Sequence, residues 1–382
     1  MNQARARVLF VRAFPPSGHP IFGGMVTSCR ALLASTLPAR VELVLLDSTQ
    51  ISNPPPSLPV RLLLAAVRCV RFVWLFERRR PDVVLLFVAV GASIIEKGAM
   101  AWYARLRGVP AMMFPRGGAI VDQCRTSAFT RAWARLAFRS ARKLVCQGEV
   151  WRRFALDVLG FAAADIIVIR NWTATPELLE IGMRRLAQAE RPVRLLFVGW
   201  LEREKGILEL IEACHNLGRD RRYSLELAGE GHASAEARDL VGRYGLADVV
   251  SFRGWLRQEG LCKALSEADV FVLPSWFEGL PNAMVEAMAA NLAVVVTCVG
   301  AIPDVIQDDS SGLLVEPRDV ASLTRALAKV IDDAGLRRRL ATEAYGIAQR
   351  DFSVEPAVDK LVQEIERLTR PARESRARGQ VH

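Results

Sequence analysis

The chain has 382 residues, 51% apolar and 24% charged, with a net charge of +10. At roughly 100–200 residues per domain this length fits two or three domains with large cores, and the composition excludes a disordered or fibrous chain. The charge is uneven: residues 1–175 hold 24 basic and 9 acidic side chains (net +15) and residues 176–382 carry −5, which points to a membrane surface or a nucleic acid as partner of the first half.

In chain order, Val8–Val11, Val41–Leu46, Val83–Val90, Ala111–Phe114, Leu144–Cys146 and Ile166–Ile169 read as strands. Most are continuous apolar runs, as strands covered on both faces should be. Helical stretches lie between them at Met25–Leu37, Arg61–Glu77, Ile94–Arg107 and Thr130–Ser140. The rhythm breaks near Asn171–Pro192. It restarts with strands at Arg194–Val198, Ser224–Ala228, Val249–Phe252, Val270–Leu273, Ala293–Thr297 and Gly312–Val315, again alternating with helices. Such alternation predicts two α/β domains, each a doubly wound parallel sheet, over residues 1–175 and 176–352. Residues 353–382 read as one more helix and an Arg-rich tail frayed from Arg370.

The seven cysteines are scattered, with no C-x-x-C and no metal-like pairing with the four histidines, so reduced thiols are expected rather than a disulfide scaffold or a zinc site. No apolar stretch approaches the ~20 residues of a spanning helix. The apolar run before Arg12 is also shorter than the roughly 7–15 residues of a secretory segment. A cytoplasmic protein, peripheral at the inner face of the cell membrane, is therefore expected. Without a secretory signal, the sequon Asn171-Trp172-Thr173 reads as coincidence.

The densest motif is Ala268–Met288, ADVFVLPSWFEGLPNAMVEAM. A buried strand ends in Pro274, and a helix starts near Leu280, Pro281 and Asn282. Its open backbone N–H groups form an anion site. Glu278 lies in the loop and Glu286 about a turn inside the helix. In isolation the pair reads as a cap and a surface residue. In this phrase, Glu278-x7-Glu286 resembles the signature of the retaining GT-B glycosyltransferases of family 4. The resemblance extends over nearly the whole chain, through the Gly199–Ile207 loop, the turn around Gly229 and Gly231, Gly254-Trp255, and the Val299–Asp304 segment.

The resemblance implies a GT-B fold, with two Rossmann-like domains facing a cleft. The first is the acceptor side and the second the side of a nucleotide-diphosphate sugar donor. Glu286 resembles the residue that holds the donor ribose, Glu278 the one on the donor sugar, and Lys205 the one on the diphosphate. Gly199 and Gly229 belong to the donor side, and Gly23 and Gly24 form a turn beside donor phosphate and acceptor. Two departures stand out. Trp200 occupies the usual Arg position after Gly199, so either Arg203 supplies a second cation or the diphosphate is held more weakly. Arg116, followed by Gly117 on the acceptor side, stands where many relatives place a histidine. Asn291 and Ala293 replace a common Gly and Pro, which implies a local backbone adjustment.

No acidic D-x-D pair stands at a strand end, so no metal or other cofactor is expected, cationic side chains taking that place. The implied reaction is sugar transfer to a glycan or lipid-linked acceptor, in cell-surface polysaccharide biosynthesis. The alternatives are a catalytically retired scaffold subunit and a GT-B sugar-nucleotide epimerase. A nicotinamide oxidoreductase is disfavoured, since no G-x-G-x-x-G follows the first strand. Arg61–Arg80 reads either as a helix on an anionic membrane, with Arg61, Arg68 and Arg71 on one face, or as a core helix with one polar stripe. Its arginines belong to no nucleic-acid module, so nucleic acid is set aside.

Overall fold

A computed structural model of the chain describes residues 5–12, 24–49, 57–89, 91–116, 119–185, 191–218 and 220–379. Two compact units emerge: Met1–Arg170 with Val354–His382, and Asn171–Ser353. Each holds a six-stranded parallel sheet, as its continuous apolar runs require.

The first sheet comprises β1 (Arg7–Arg12), β2 (Glu42–Asp47), β3 (Val83–Val88), β4 (Ala111–Pro115), β5 (Lys143–Cys146) and β6 (Ile166–Val168), in the order β2-β1-β3-β4-β5-β6. The second comprises β7 (Val193–Val198), β8 (Tyr223–Ala228), β9 (Val250–Gly254), β10 (Val270–Leu273), β11 (Ala293–Thr297) and β12 (Leu313–Val315), in the order β12-β11-β10-β7-β8-β9. In both, the chain winds outward one way and then returns to the starting strand. The reversal falls between β1 and β3 in the first sheet and between β7 and β10 in the second. Open α/β sheets bind ligands beyond the strand ends at such reversals.

The twelve strands stand where the sequence put them, within a residue or two at the ends. The short helix Ala119–Thr126 was not anticipated. The second unit begins at Asn171 because its amide Nδ2 donates to the Leu280 carbonyl at 2.5 Å, and the Ala174 N–H donates to Phe352 O at 3.2 Å. Asn171, Trp172 and Thr173 are all buried.

The tail corrects the expectation of fraying at Arg370. One helix, Val354–Gly379, runs through that point and through Pro371, in a segment of Ala, Arg and Glu that favours helix. It counts with the first unit, where Val358, Leu361, Val362 and Ile365 are buried and Glu355 accepts from the Thr36 N–H at 3.2 Å. By sequence count the first unit then carries +16 and the second −6.

The Leu58–Arg79 helix is corrected at one position. Arg68 is not part of an outward stripe; it turns inward and donates to both oxygens of buried Glu96, at 2.7 and 2.9 Å. The outward face carries Val60, Leu63, Val67, Val70 and Trp74, spaced three and four apart, with Arg61, Arg71 and Arg78 also exposed. Among the described residues no helix is long and apolar enough to cross a membrane, and all seven cysteines are free thiols.

Candidate functional site

The second unit brings the exit loops of β7, β10 and β11 together, with contacts so close that side chains are excluded. Gly206 (φ +69°) starts the helix Ile207–Asn216, and a Cβ there would lie 2.0 Å from Pro274 O, in the loop after β10. The Trp276 N–H donates to Glu204 O at 2.8 Å across the same seam. On the other side, a Cβ on Gly300 (φ +61°) would lie 2.2 Å from Glu278 O, and the Ala301 N–H donates to Gly279 O at 2.8 Å. Only glycine tolerates both the left-handed backbone and the approach.

This crowding fixes Lys205 against Glu278, its Nζ 2.6 Å from Oε1. Ser275 Oγ donates to the same oxygen at 2.8 Å, and Thr297 Oγ1 donates to Ser275 O at 2.6 Å. Glu278 is mostly buried and Lys205 about a quarter exposed (27%), so the pair is set into the strand ends with its cation toward solvent. It sits between β7 and β10, at the reversal of the sheet. Behind it, Gly229 (φ +151°) packs against Gly199, whose carbonyl would lie 1.7 Å from an added Cβ; Gly199 N–H donates to Ala228 O at 3.0 Å.

Leu280, Pro281 and Asn282 lead into the helix Asn282–Ala289, with Pro281 as its N-cap. Asn171 holds this start through Leu280 O, and Thr173 Oγ1 reaches Asn282 O at 3.4 Å. Glu286 is buried inside that helix, and burial alone pushes its carboxyl up to about 7. Arg203 sits in an exposed turn and pairs with Glu236 at 2.7 Å. Trp200 meets Trp255 edge to face, centroids 4.4 Å apart. Asn291 takes left-handed backbone, φ +59°, a local adjustment as expected at this position, and its Nδ2 donates to Gly182 O at 3.1 Å.

In the first unit Gly24 opens the helix Gly24–Ala34. Arg116 follows β4 and donates to Ser28 Oγ at 2.7 Å. Gly23 and Gly117 lie outside the described residues. The sequence reading missed Ser275, Thr297 and Asn171, whose hydroxyls and amide act on neighbouring loops. For Ser275 alone a signal existed, its place three residues before Glu278.

The family described as "Glycosyl transferases group 1" matches residues 181–346, and "Glycosyl transferase 4-like domain" matches residues 5–172. The chain carries a group 1 glycosyltransferase domain behind a glycosyltransferase 4-like domain. Among curated relatives, the alpha-D-kanosaminyltransferase of Streptomyces kanamyceticus is 28% identical over 76% of this chain and 80% of its own length. The amylovoran biosynthesis glycosyltransferase AmsK of Erwinia amylovora is 29% identical over 58% of this chain and 55% of its own length. Anabaena HepE, solved in complex with UDP-glucose, is alike in fold at a TM-score of 0.71 and 18% identity, over 94% of this chain and 99% of that one. The transferase has the GT-B fold and is related to enzymes of polysaccharide biosynthesis.

Glu286 gives the site a pH signature. Its native carboxyl holds a proton to about 7 against an ordinary value of 4.5, while the unfolded chain releases it near the lower value. The native state therefore binds more protons in that window, and stability falls as pH rises through it. Relative to Glu286→Gln, the wild type is expected to lose up to about 3 kcal/mol between pH 4.5 and 7 and to level off above. Urea unfolding of both proteins across that range measures it, and parallel curves would remove Glu286 from the shifted state.

Proposed function

We propose that this transferase is a retaining enzyme of family 4 that moves a sugar from a nucleotide-diphosphate donor to a glycan or lipid-linked acceptor in cell-surface polysaccharide assembly. The observation that carries this is the Lys205–Glu278 pair, 2.6 Å apart at the β7–β10 reversal. A cation and a carboxylate at that point suit the two ends of such a donor. HepE's complex with UDP-glucose supports a donor of this class.

In this reading the donor C1–oxygen bond breaks, and the bonding pair leaves with the diphosphate. Lys205 and the N–H groups at the starts of the Ile207–Asn216 and Asn282–Ala289 helices meet that developing charge without a metal ion. The acceptor hydroxyl attacks C1 on the face the diphosphate leaves. Its proton passes to a leaving phosphate oxygen, so the product keeps the donor's anomeric configuration. Glu278 accepts hydrogen bonds from the donor sugar and Glu286 from the ribose. Because fixed charges do their work as the bond breaks, they lower the barrier more than they tighten binding.

Expected outcomes separate these roles. Lys205→Ala should cut kcat by about 100-fold. Glu286→Ala should weaken nucleotide-diphosphate binding by about tenfold or more, the worth of one or two hydrogen bonds. Mass-spectrometric screening of nucleotide sugars, with calorimetry of both variants, reads this out. Full activity in both variants would overturn the site.

The same reading puts the first unit on an anionic membrane, at the inner face of the cell membrane. It is supported by the outward seam Val60, Leu63, Val67, Val70 and Trp74 with its arginines, in a unit of net charge +16. Flotation with anionic vesicles should carry the protein at low salt, and Val70→Glu with Trp74→Glu should abolish it. No flotation of the wild type would sink this membrane assignment.

A further inference from the structure

The first unit contains a second concentration of charge that the donor chemistry does not use. Arg12 ends β1, and Arg116 follows β4. Between them runs β3, whose Phe87 ring takes both guanidiniums: Arg12 Cζ lies 5.6 Å and Arg116 Cζ 5.8 Å from its centroid. The Phe114 ring adds a second platform, 5.0 Å from Arg116 Cζ. This is the β1–β3 reversal, the position in the first sheet that matches the donor site in the second.

Arg12 is only 5% exposed, and its Nε and Nη2 are buried without hydrogen-bond partners. Leaving charged donors unmade in the interior is costly, and a second guanidinium alongside adds repulsion. The surroundings do not cancel it. Burial holds the Cys29 thiol up at about 11, so no thiolate forms near neutral pH. Asp47 at the end of β2 attracts Arg12, and its Oδ1 also accepts from the Thr49 N–H at 2.9 Å. Lys97, buried close enough for its charge and that of Arg12 to oppose each other, shares Glu96 with Arg68. Arg12, Lys97 and Arg68 thus share the carboxylates of Glu96 and Asp47, while the titratable neighbours of Arg116 are Arg12 and Cys29. Burial, then the charge of Arg12, pushes Arg116 down to about 9, which leaves it cationic at neutral pH.

A guanidinium fork with unmade N–H groups, as Arg12 has, matches the two oxygens of a phosphate or carboxylate, and the Arg116 guanidinium on the same ring adds a second positive charge beside it. We propose that Arg12 and Arg116 form an oxyanion subsite at the β1–β3 reversal that receives the phosphate or carboxylate of an anionic glycosyl acceptor. That the anion belongs to the acceptor rests on the transferase reading above; that the subsite takes an oxyanion does not.

The test uses the full chain with UDP at saturation, so that the donor side is occupied. Calorimetry compares three probes: a glycosyl phosphate, a methyl uronoside and a neutral methyl glycoside. One anionic probe should bind about tenfold or more tightly than the neutral one. A preference for phosphate assigns a phosphate-bearing acceptor, and a preference for the uronoside assigns a uronate. Arg12→Gln and Arg116→Gln should each lose that advantage while UDP affinity stays within about twofold. Arg116→Lys, which keeps the charge but not the fork, serves where a Gln variant does not fold and should lose affinity about threefold or more. Equal binding of charged and neutral probes, or unchanged affinity in the variants, would overturn the subsite. A loss of UDP binding in the variants would overturn its assignment to the acceptor. A wild type that binds the anions but not UDP would refute the transferase reading and leave the subsite standing.

Discussion

Lys205 and Glu278 meet at 2.6 Å because three loops converge where no side chain fits between them. Gly206 lies against Pro274, and Gly300 lies against Glu278 itself, each in left-handed backbone and each with a carbonyl about where a Cβ would stand. The charges are thereby placed by backbone rather than by flexible side-chain choice, so little reorganises when a ligand arrives. Ser275 and Thr297 extend the same logic: one hydroxyl fixes the carboxylate and the other fixes the loop that carries it.

The two units use one architecture for opposite electrostatic ends. Each sheet reverses beside its first strand, and each reversal gathers charge. In the second unit the cation is matched by a carboxylate, and the unit as a whole is negative. In the first, Arg12 and Arg116 outweigh their acidic neighbours within a unit of net charge +16. A matched pair is at rest without ligand, whereas the buried Nε and Nη2 of Arg12, which have no partner, call for one. The excess of positive charge in the first unit thus has a structural focus at one strand reversal.

Much of the fold was legible because its strands are continuous apolar runs, such as Val270–Leu273 and Ala293–Thr297, bounded by turn residues. The site was legible where residue types cluster along the chain, as in Ala268–Met288. What escaped depends on distant pairings. Arg12 looks like a charge that merely stops an apolar run, and nothing local shows that Arg116 shares its aromatic neighbour. Arg68 shares a helical face with exposed arginines, and only the buried Glu96 on another helix turns it inward. Asn171 sits in a sequon, yet its amide is committed to Leu280 O across more than a hundred residues. The terminal helix was cut short at Arg370 on the Arg-rich composition of the tail, whereas the helix continues to Gly379 and through Pro371, a residue that costs a helix interior about 3 kcal/mol or more.

The most direct measurement follows transfer by NMR, with a nucleotide sugar of known anomeric configuration and the acceptor found by screening. The glycosidic product should carry the donor's configuration, and its rate of formation should collapse in Lys205→Ala. A product of inverted configuration, or donor isomerised without transfer, would contradict a retaining transferase built on the Lys205–Glu278 pair.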